Sequence, residues 1–216
     1  MKKDVIQSIL DNKLIVIVRG IENSKLLPLA QAMYNGGIRL LELTYDSTGN
    51  TTDIMTAHNI TMLKEYFGDK MHIGAGTVTT PQQAKLTYEA GGSFVISPDT
   101  NPEVIKTTIQ HDMVSIPGAL TPTEIQTAHR YGADFVKLFP VTNMGPDYVK
   151  AVKAPLNNIK MLAVGGINLD NIQHYLNCGI CGFGIGSNIT DKKLISSGNY
   201  EGITALAEQY VNAVGR

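Results

Sequence analysis

Lys137 stands inside the apolar run "GADFVKLFPV", residues 132–141, and Glu42 inside "LLELT", residues 40–44. A charge in an apolar, strand-forming stretch is costly to bury, so each side chain either escapes to solvent at its strand end or has its charge suppressed. Alternation along an extended strand puts Phe135, Lys137 and Phe139 on one face and Val136 and Leu138 on the other. Those aromatic surroundings are expected to lower the lysine pKa, and a neutral amine is a nucleophile that condenses with ketones. Glu42, if it faces the same mouth, can act as general base and acid, with burial raising its pKa toward neutrality. Schiff-base chemistry needs both: the amine makes the electron sink, while a second group moves protons for dehydration, bond cleavage and reprotonation.

Two further loops carry glycine where an anion could settle. "AVGGIN" brings Gly165 and Gly166, and "GIGSN" brings Gly186 with Ser187. Glycine lets an anionic oxygen approach backbone N–H groups, and a helix opening after each loop would add the positive end of its dipole. Together they read as a phosphate cradle, with the Ser187 hydroxyl as a further donor.

Elements must position these residues, and the chain supplies them in a regular order. Eight short apolar segments recur: "KLIVIVRG", "GIRLLELT", "MHIGAGTV", "GGSFVISP", "DMVSIPGA", "ADFVKLFP", "IKMLAVGG" and "CGFGIGSN". Between them lie amphipathic stretches such as "SKLLPLAQAMYNGG", "TPQQAKLTYEAGG", "NPEVIKTTIQHD" and "TPTEIQTAHRYGAD", several opening on a capping residue and ending near glycine. Strands alternating with helices imply right-handed β-α-β units and a parallel sheet. Eight units select a (β/α)8 TIM barrel over an open doubly wound sheet, with an extra N-terminal helix over roughly residues 3–11 capping the bottom. One barrel domain is expected to span residues 1–216. In such barrels chemistry sits at the carboxyl ends of the strands. That ring holds Arg19, Glu42 with Thr44, Thr77, Ser97 with Pro98, Pro117 with Gly118, Lys137 with Phe139, and the glycine loops.

Composition narrows the function. The formal net charge is −1, with Lys and Arg scattered rather than blocked, so no footprint for nucleic acid or an anionic membrane appears. No apolar run approaches the ~18 residues a transmembrane helix needs, and the N-terminal "MKKDVIQSILDNK" lacks the apolar core of a signal peptide. A soluble cytoplasmic protein acting on a small molecule is expected. Cys178 and Cys181 form a lone C-x-x-C, read as small buried thiols because no second pair completes a zinc cage. The five histidines show no metal-ligand spacing. Neither metal nor cofactor is expected.

At this point the chain resembles the family of 2-keto-3-deoxy-6-phosphogluconate and 4-hydroxy-2-oxoglutarate aldolases. The resemblance runs over nearly the whole chain through "GGIRLLELT", "IGAGTVTTPQQA", "FVISP", "SIPGALTPTEI", "FVKLFP", "AVGGIN" and "GIGSN", in the family's order. "GAGTV" and "KLFP" are the more specific signatures. It implies a class I aldolase in which Lys137 forms a Schiff base with the 2-oxo carbon, Glu42 shuttles protons, and pyruvate and an aldehyde are released. Thr77 and Pro98 match pyruvate-pocket residues, Phe139 would wall that pocket, and Gly165, Gly166 and Ser187 would hold a substrate phosphate. The resemblance also implies a homotrimer.

Two departures bear on the substrate. Where the family reads E-V-T-x-R, this chain reads "ELTYD", so Asp46 replaces an arginine that contacts substrate in the resembling enzymes. Val164 stands where the phosphogluconate enzymes carry threonine, as in relatives acting on the galactonate epimer. Arg19, ending the neighbouring strand, could pair with Asp46 or take over the substrate carboxylate. Alternatively Asp46 turns outward to cap the helix beginning near Thr51. If Asp46 faces the site, Asp46→Arg should favour anionic substrates and Arg19→Ala disfavour them. Two other readings share the phosphate loops: a phosphate-binding isomerase or synthase barrel, and a non-catalytic phospho-ligand sensor derived from an aldolase.

Overall fold

The computed structural model describes residues 2–215. Helix α1 (Lys2–Asn12) precedes β1 (Leu14–Val18), α2 (Asn23–Asn35), β2 (Leu40–Thr44), α3 (Asp53–Phe67), β3 (His72–Gly76), α4 (Pro81–Glu89), β4 (Phe94–Ile96) and α5 (Pro102–Gln110). There follow β5 (Val114–Ile116), β6 (Gly118–Ala119), α6 (Pro122–Arg130), β7 (Val136–Leu138), α7 (Gly145–Lys153), β8 (Met161–Val164), α8 (Ile172–Leu176), β9 (Gly182–Ile185), α9 (Lys192–Ser197) and α10 (Tyr200–Ala213). Six of the helices fall where periodicity between strands places them; α7, α9 and α10 are additions.

The strands pair in the order β5-β4-β3-β2-β1-β9-β8-β7-β6, all parallel. The fifth expected strand is split by Pro117, which has no N–H to give the ladder. Its first half, β5, pairs with β4, and its second half, β6, pairs with β7. The Pro117 carbonyl still serves the ladder, accepting from the Lys137 N–H at 2.9 Å. One continuous segment thus joins the two edges of the sheet, and the eight-position barrel closes through it.

Alternation sorts the strand residues into two cores. Ile15, Leu40, Phe94, Val114, Phe135 and Leu162 point inward and pack with Val5 and Ile9 of α1, which plugs the bottom of the barrel. Lys2 holds that plug in place through an ion pair with Asp134 at 2.9 Å. Val16, Leu41, Ile73, Val136, Met161 and Phe183 point outward and pack under the helices. At the top, α4, α5 and α6 begin sharply because Thr80, Asn101 and Thr121 cap them from the side chain and proline follows each cap. Thr121 and Glu124 complete a capping box, the carboxylate accepting from the Thr121 N–H at 2.8 Å. Such caps keep the connections after β3, β4 and β6 short, so the strand ends stay at the mouth. Among the described residues no helix is long and apolar enough to cross a membrane.

Candidate active site

Lys137 follows Phe135 by two residues on β7, and Glu42 follows Leu40 by two on β2, so both inherit the inward direction of the inner core. Both are buried, at 7% and 2% exposure. Glu42 lies over Gly76: a Cβ there would stand 1.6 Å from the carboxylate oxygen Oε1, so only glycine leaves room. The other oxygen, Oε2, is buried with no hydrogen-bond partner among the described residues. The two charged groups form no ion pair within 4.0 Å.

Burial holds the Glu42 carboxyl above its usual range, against the opposing pull of Lys137 and Arg19. Burial likewise depresses Lys137; Glu42 opposes that shift and Arg19 adds to it. The direction is the one expected from the sequence, but the cause differs. The Phe139 ring lies 4.6 Å from Lys137 Nζ, in a geometry that favours the ammonium. Burial, not the ring, is therefore what favours the neutral amine.

Around this pair the strand-end residues gather unevenly. Arg19, exposed at the end of β1, donates from Nη2 to Thr77 Oγ1 at 3.0 Å. Thr77 has φ +55°, a genuine outlier for a β-branched residue and a strain worth about 1–3 kcal/mol. Arg19, Phe139, Val164, Gly165, Gly166, Gly186 and Ser187 border one cavity of about 480 Å³. Thr77 and Pro98 lie outside it, Pro98 half-buried after β4. Arg19 also borders a second cavity of about 470 Å³, between the loops after β1 and β2.

The glycine loops offer donors. Gly165 and Gly166 take φ +95° and +72°, and a Cβ on Gly166 would stand 2.5 Å from Thr142 Oγ1. The backbone N–H groups of Gly166, Ile167, Ser187 and Asn188 meet no acceptor among the described residues. The expected helix openings are displaced: α8 starts only at Ile172, and a single turn separates β9 from α9, with Ile189 and Thr190 N–H both bonding Gly186 O at 3.0 Å. Free N–H groups, rather than helix dipoles, make the concavity attractive to an anion.

Asp46 borders the second cavity together with Arg19 but makes no ion pair with it. Oδ1 accepts from Thr48 N at 2.8 Å and Thr48 Oγ1 at 2.6 Å, and Oδ2 from Thr51 N at 2.9 Å. These bonds, the Thr48 hydroxyl first, hold its pKa below the usual carboxylate range. The cap of α3 is Thr52, and Arg19 turns to Thr77. Asp46 thus folds its own loop. Cys178 and Cys181 are half-buried rather than buried as expected, free thiols donating to backbone carbonyls, with partial burial pushing both upward in pKa. The described residues contain no cluster of three or more metal-ligating side chains. Sequence reasoning missed Asn188, whose signal was its place beside the serine of "GIGSN".

A parallel barrel with a buried lysine and carboxylate beside an anion-attracting cavity belongs, by its relatives, to the carbon–carbon lyases of the aldolase type. The family model for KDPG and KHG aldolase matches residues 5–206, and the chain belongs to that family. It is 34% identical over 177 residues to the 2-dehydro-3-deoxy-6-phosphogalactonate aldolase of Escherichia coli strain K12, covering 82% of this chain and 83% of that one. To the 2-dehydro-3-deoxy-phosphogluconate aldolase of Treponema pallidum it is 33% identical over 196 residues, covering 88% and 87%. Among solved structures it superposes with TM-score 0.84 and 30% identity on the KDPG aldolase of Legionella pneumophila, described with pyruvate captured at low pH as a covalent carbinolamine intermediate. That match covers 96% of this chain and 97% of the other.

Proposed function

We propose that this chain cleaves a 2-keto-3-deoxy-6-phospho-sugar acid of the gluconate or galactonate type, or 4-hydroxy-2-oxoglutarate, to pyruvate and an aldehyde through a Schiff base on Lys137. The observation that carries the reading is a buried lysine sharing the barrel mouth with a carboxyl group whose Oε2 has no hydrogen-bond partner among the described residues. The neutral amine adds to the C2 carbonyl, and the carbinolamine loses water to give an iminium ion. Glu42, as carboxylate, takes the proton from the C4 hydroxyl while the C3–C4 bond breaks. Its electrons flow into the iminium and leave an enamine, and the aldehyde departs. Protonation of the enamine at C3 and addition of water release pyruvate and restore the amine.

Phe139 and Val164 then wall the site, and Gly165, Gly166, Gly186 and Ser187 receive the phosphate. Arg19, tied to Thr77, is the cation left to meet the substrate carboxylate where Asp46 replaces the family arginine. Pro98 completes the pyruvate pocket by resemblance. Val164, which offers methyl groups and no hydroxyl, favours the galactonate epimer, and a cleavage screen over both epimers decides it. The resemblance also carries a homotrimer, which light scattering on the purified chain measures directly.

Incubation with pyruvate and borohydride tests the mechanism: a pyruvyl adduct is expected on Lys137, read by mass spectrometry of the peptide. No adduct, or one of equal yield in Lys137→Met, rules out the Schiff base. That outcome would return the chain to the isomerase or sensor readings.

A further inference from the structure

The glycine loops are held at two ends. At one end the ladder between β8 and β9 finishes with Val164 opposite Gly184. At the other, Asn188 donates from Nδ2 to Ile167 O at 2.7 Å, joining the turn after β9 to the loop after β8. The loop after β8 is itself stiffened by two asparagines: Asn171 Nδ2 donates to Gly166 O at 2.8 Å, and Asn168 Oδ1 accepts from Asp170 N and Asn171 N at 3.0 and 3.1 Å. The bond to Ile167 O is the one side-chain hydrogen bond of Asn188 among the described residues.

The free donors are divided between these loops, with Gly166 and Ile167 on one and Ser187 and Asn188 on the other. An anion that uses both sets needs the loops at one spacing. The β8–β9 ladder alone fixes that spacing only at the strand ends. We propose that Asn188 is a positioning residue that sets the separation of the two loops and thereby the affinity of the site for the phosphate end of its substrate. This rests on the aldolase reading above.

The pyruvyl half of the reaction takes place at Lys137 and does not require the loops, which separates a positioning effect from general damage. Inorganic phosphate serves as the probe of the loops, and borohydride trapping of pyruvate as the probe of Lys137. In Asn188→Ala the inhibition constant for phosphate and the KM for the phosphorylated substrate are expected to rise about 3- to 10-fold, the span of one lost hydrogen bond. The rate of pyruvate trapping and the KM for 4-hydroxy-2-oxoglutarate, which carries no phosphate, should stay at wild-type values. Asn188→Leu, which keeps the side-chain volume and removes the donor, should move the same two constants in the same direction. It keeps the test open if Asn188→Ala melts below the assay temperature. A phosphate constant unchanged in both variants, or a KM that rises equally for substrates with and without phosphate, overturns the proposal. A wild type that fails to trap pyruvate overturns the aldolase reading and the positioning role together, whereas one that traps pyruvate but that phosphate does not inhibit overturns the positioning role alone.

Discussion

A buried carboxyl oxygen without a hydrogen bond costs about 1–3 kcal/mol, so nothing in the packing of the barrel favours keeping one at Glu42. Its retention makes sense if the atom is reserved for a proton. Glu42→Gln keeps the shape and removes the transferable proton. Turnover should fall by the ~10²–10⁴-fold typical of general acid–base groups, with substrate still bound. A change confined to KM would place Glu42 in binding instead. The same variant reports on Lys137. Glu42 raises the lysine pKa and Arg19 lowers it. Because the neutral amine is the reacting form, the pH of half-maximal pyruvate trapping should move down in Glu42→Gln and up in Arg19→Ala. Shifts in the same direction would show that the trapped group is not under the control of these two charges.

At the scale of elements, the strands were readable because each is a short apolar run that an amphipathic stretch follows. The rim was readable because Lys137 and Glu42 interrupt such runs. Pro117 was visible too, but a proline inside "DMVSIPGA" does not reveal that the two halves of its segment pair with different neighbours; that depends on closure of the whole sheet. The bonding of Asp46 was hidden for a related reason. Substitution of an arginine by a carboxylate suggests a reversed charge at the substrate, whereas the loop "DSTGNT" also supplies donors to Asp46 two and five residues on. Arg19 is then free of Asp46 and turned to Thr77. Asp46→Arg should accordingly loosen the loop after β2 and lower kcat/KM for phosphorylated and unphosphorylated substrates alike. Arg19→Ala should lower it through KM. A selective gain for the phosphorylated substrates in Asp46→Arg would restore a substrate-facing role to residue 46.

For the molecule as a whole, the site is a local conflict with the fold that carries it. The inner core that α1 plugs from below is apolar, and the two charged groups above it are both held away from their preferred ionisation. Replacing even a buried ion pair with well-packed hydrophobic residues of similar volume is often neutral or stabilising by about 1–4 kcal/mol, and Lys137 and Glu42 lack a direct ion pair to offset their burial. Lys137→Met with Glu42→Gln should therefore abolish activity and raise Tm, by about 2–4 °C for each kcal/mol gained. The gain has a pH signature. The folded pKa of Glu42 is raised above the ordinary 4.5, so its penalty is absent at pH values below that and develops as pH climbs toward the folded value. The folded pKa of Lys137 is depressed below the ordinary 10.5, so its penalty is absent above that and develops as pH falls toward the folded value. Both penalties are present together only between these limits. The double variant should thus exceed the wild type most near neutrality, with the gap narrowing toward either extreme in thermal melts across pH. A gap that is constant with pH would trace the stabilisation to packing of Met and Gln rather than to the suppressed charges, and a double variant less stable than the wild type at neutral pH would mean that the pair supports the barrel.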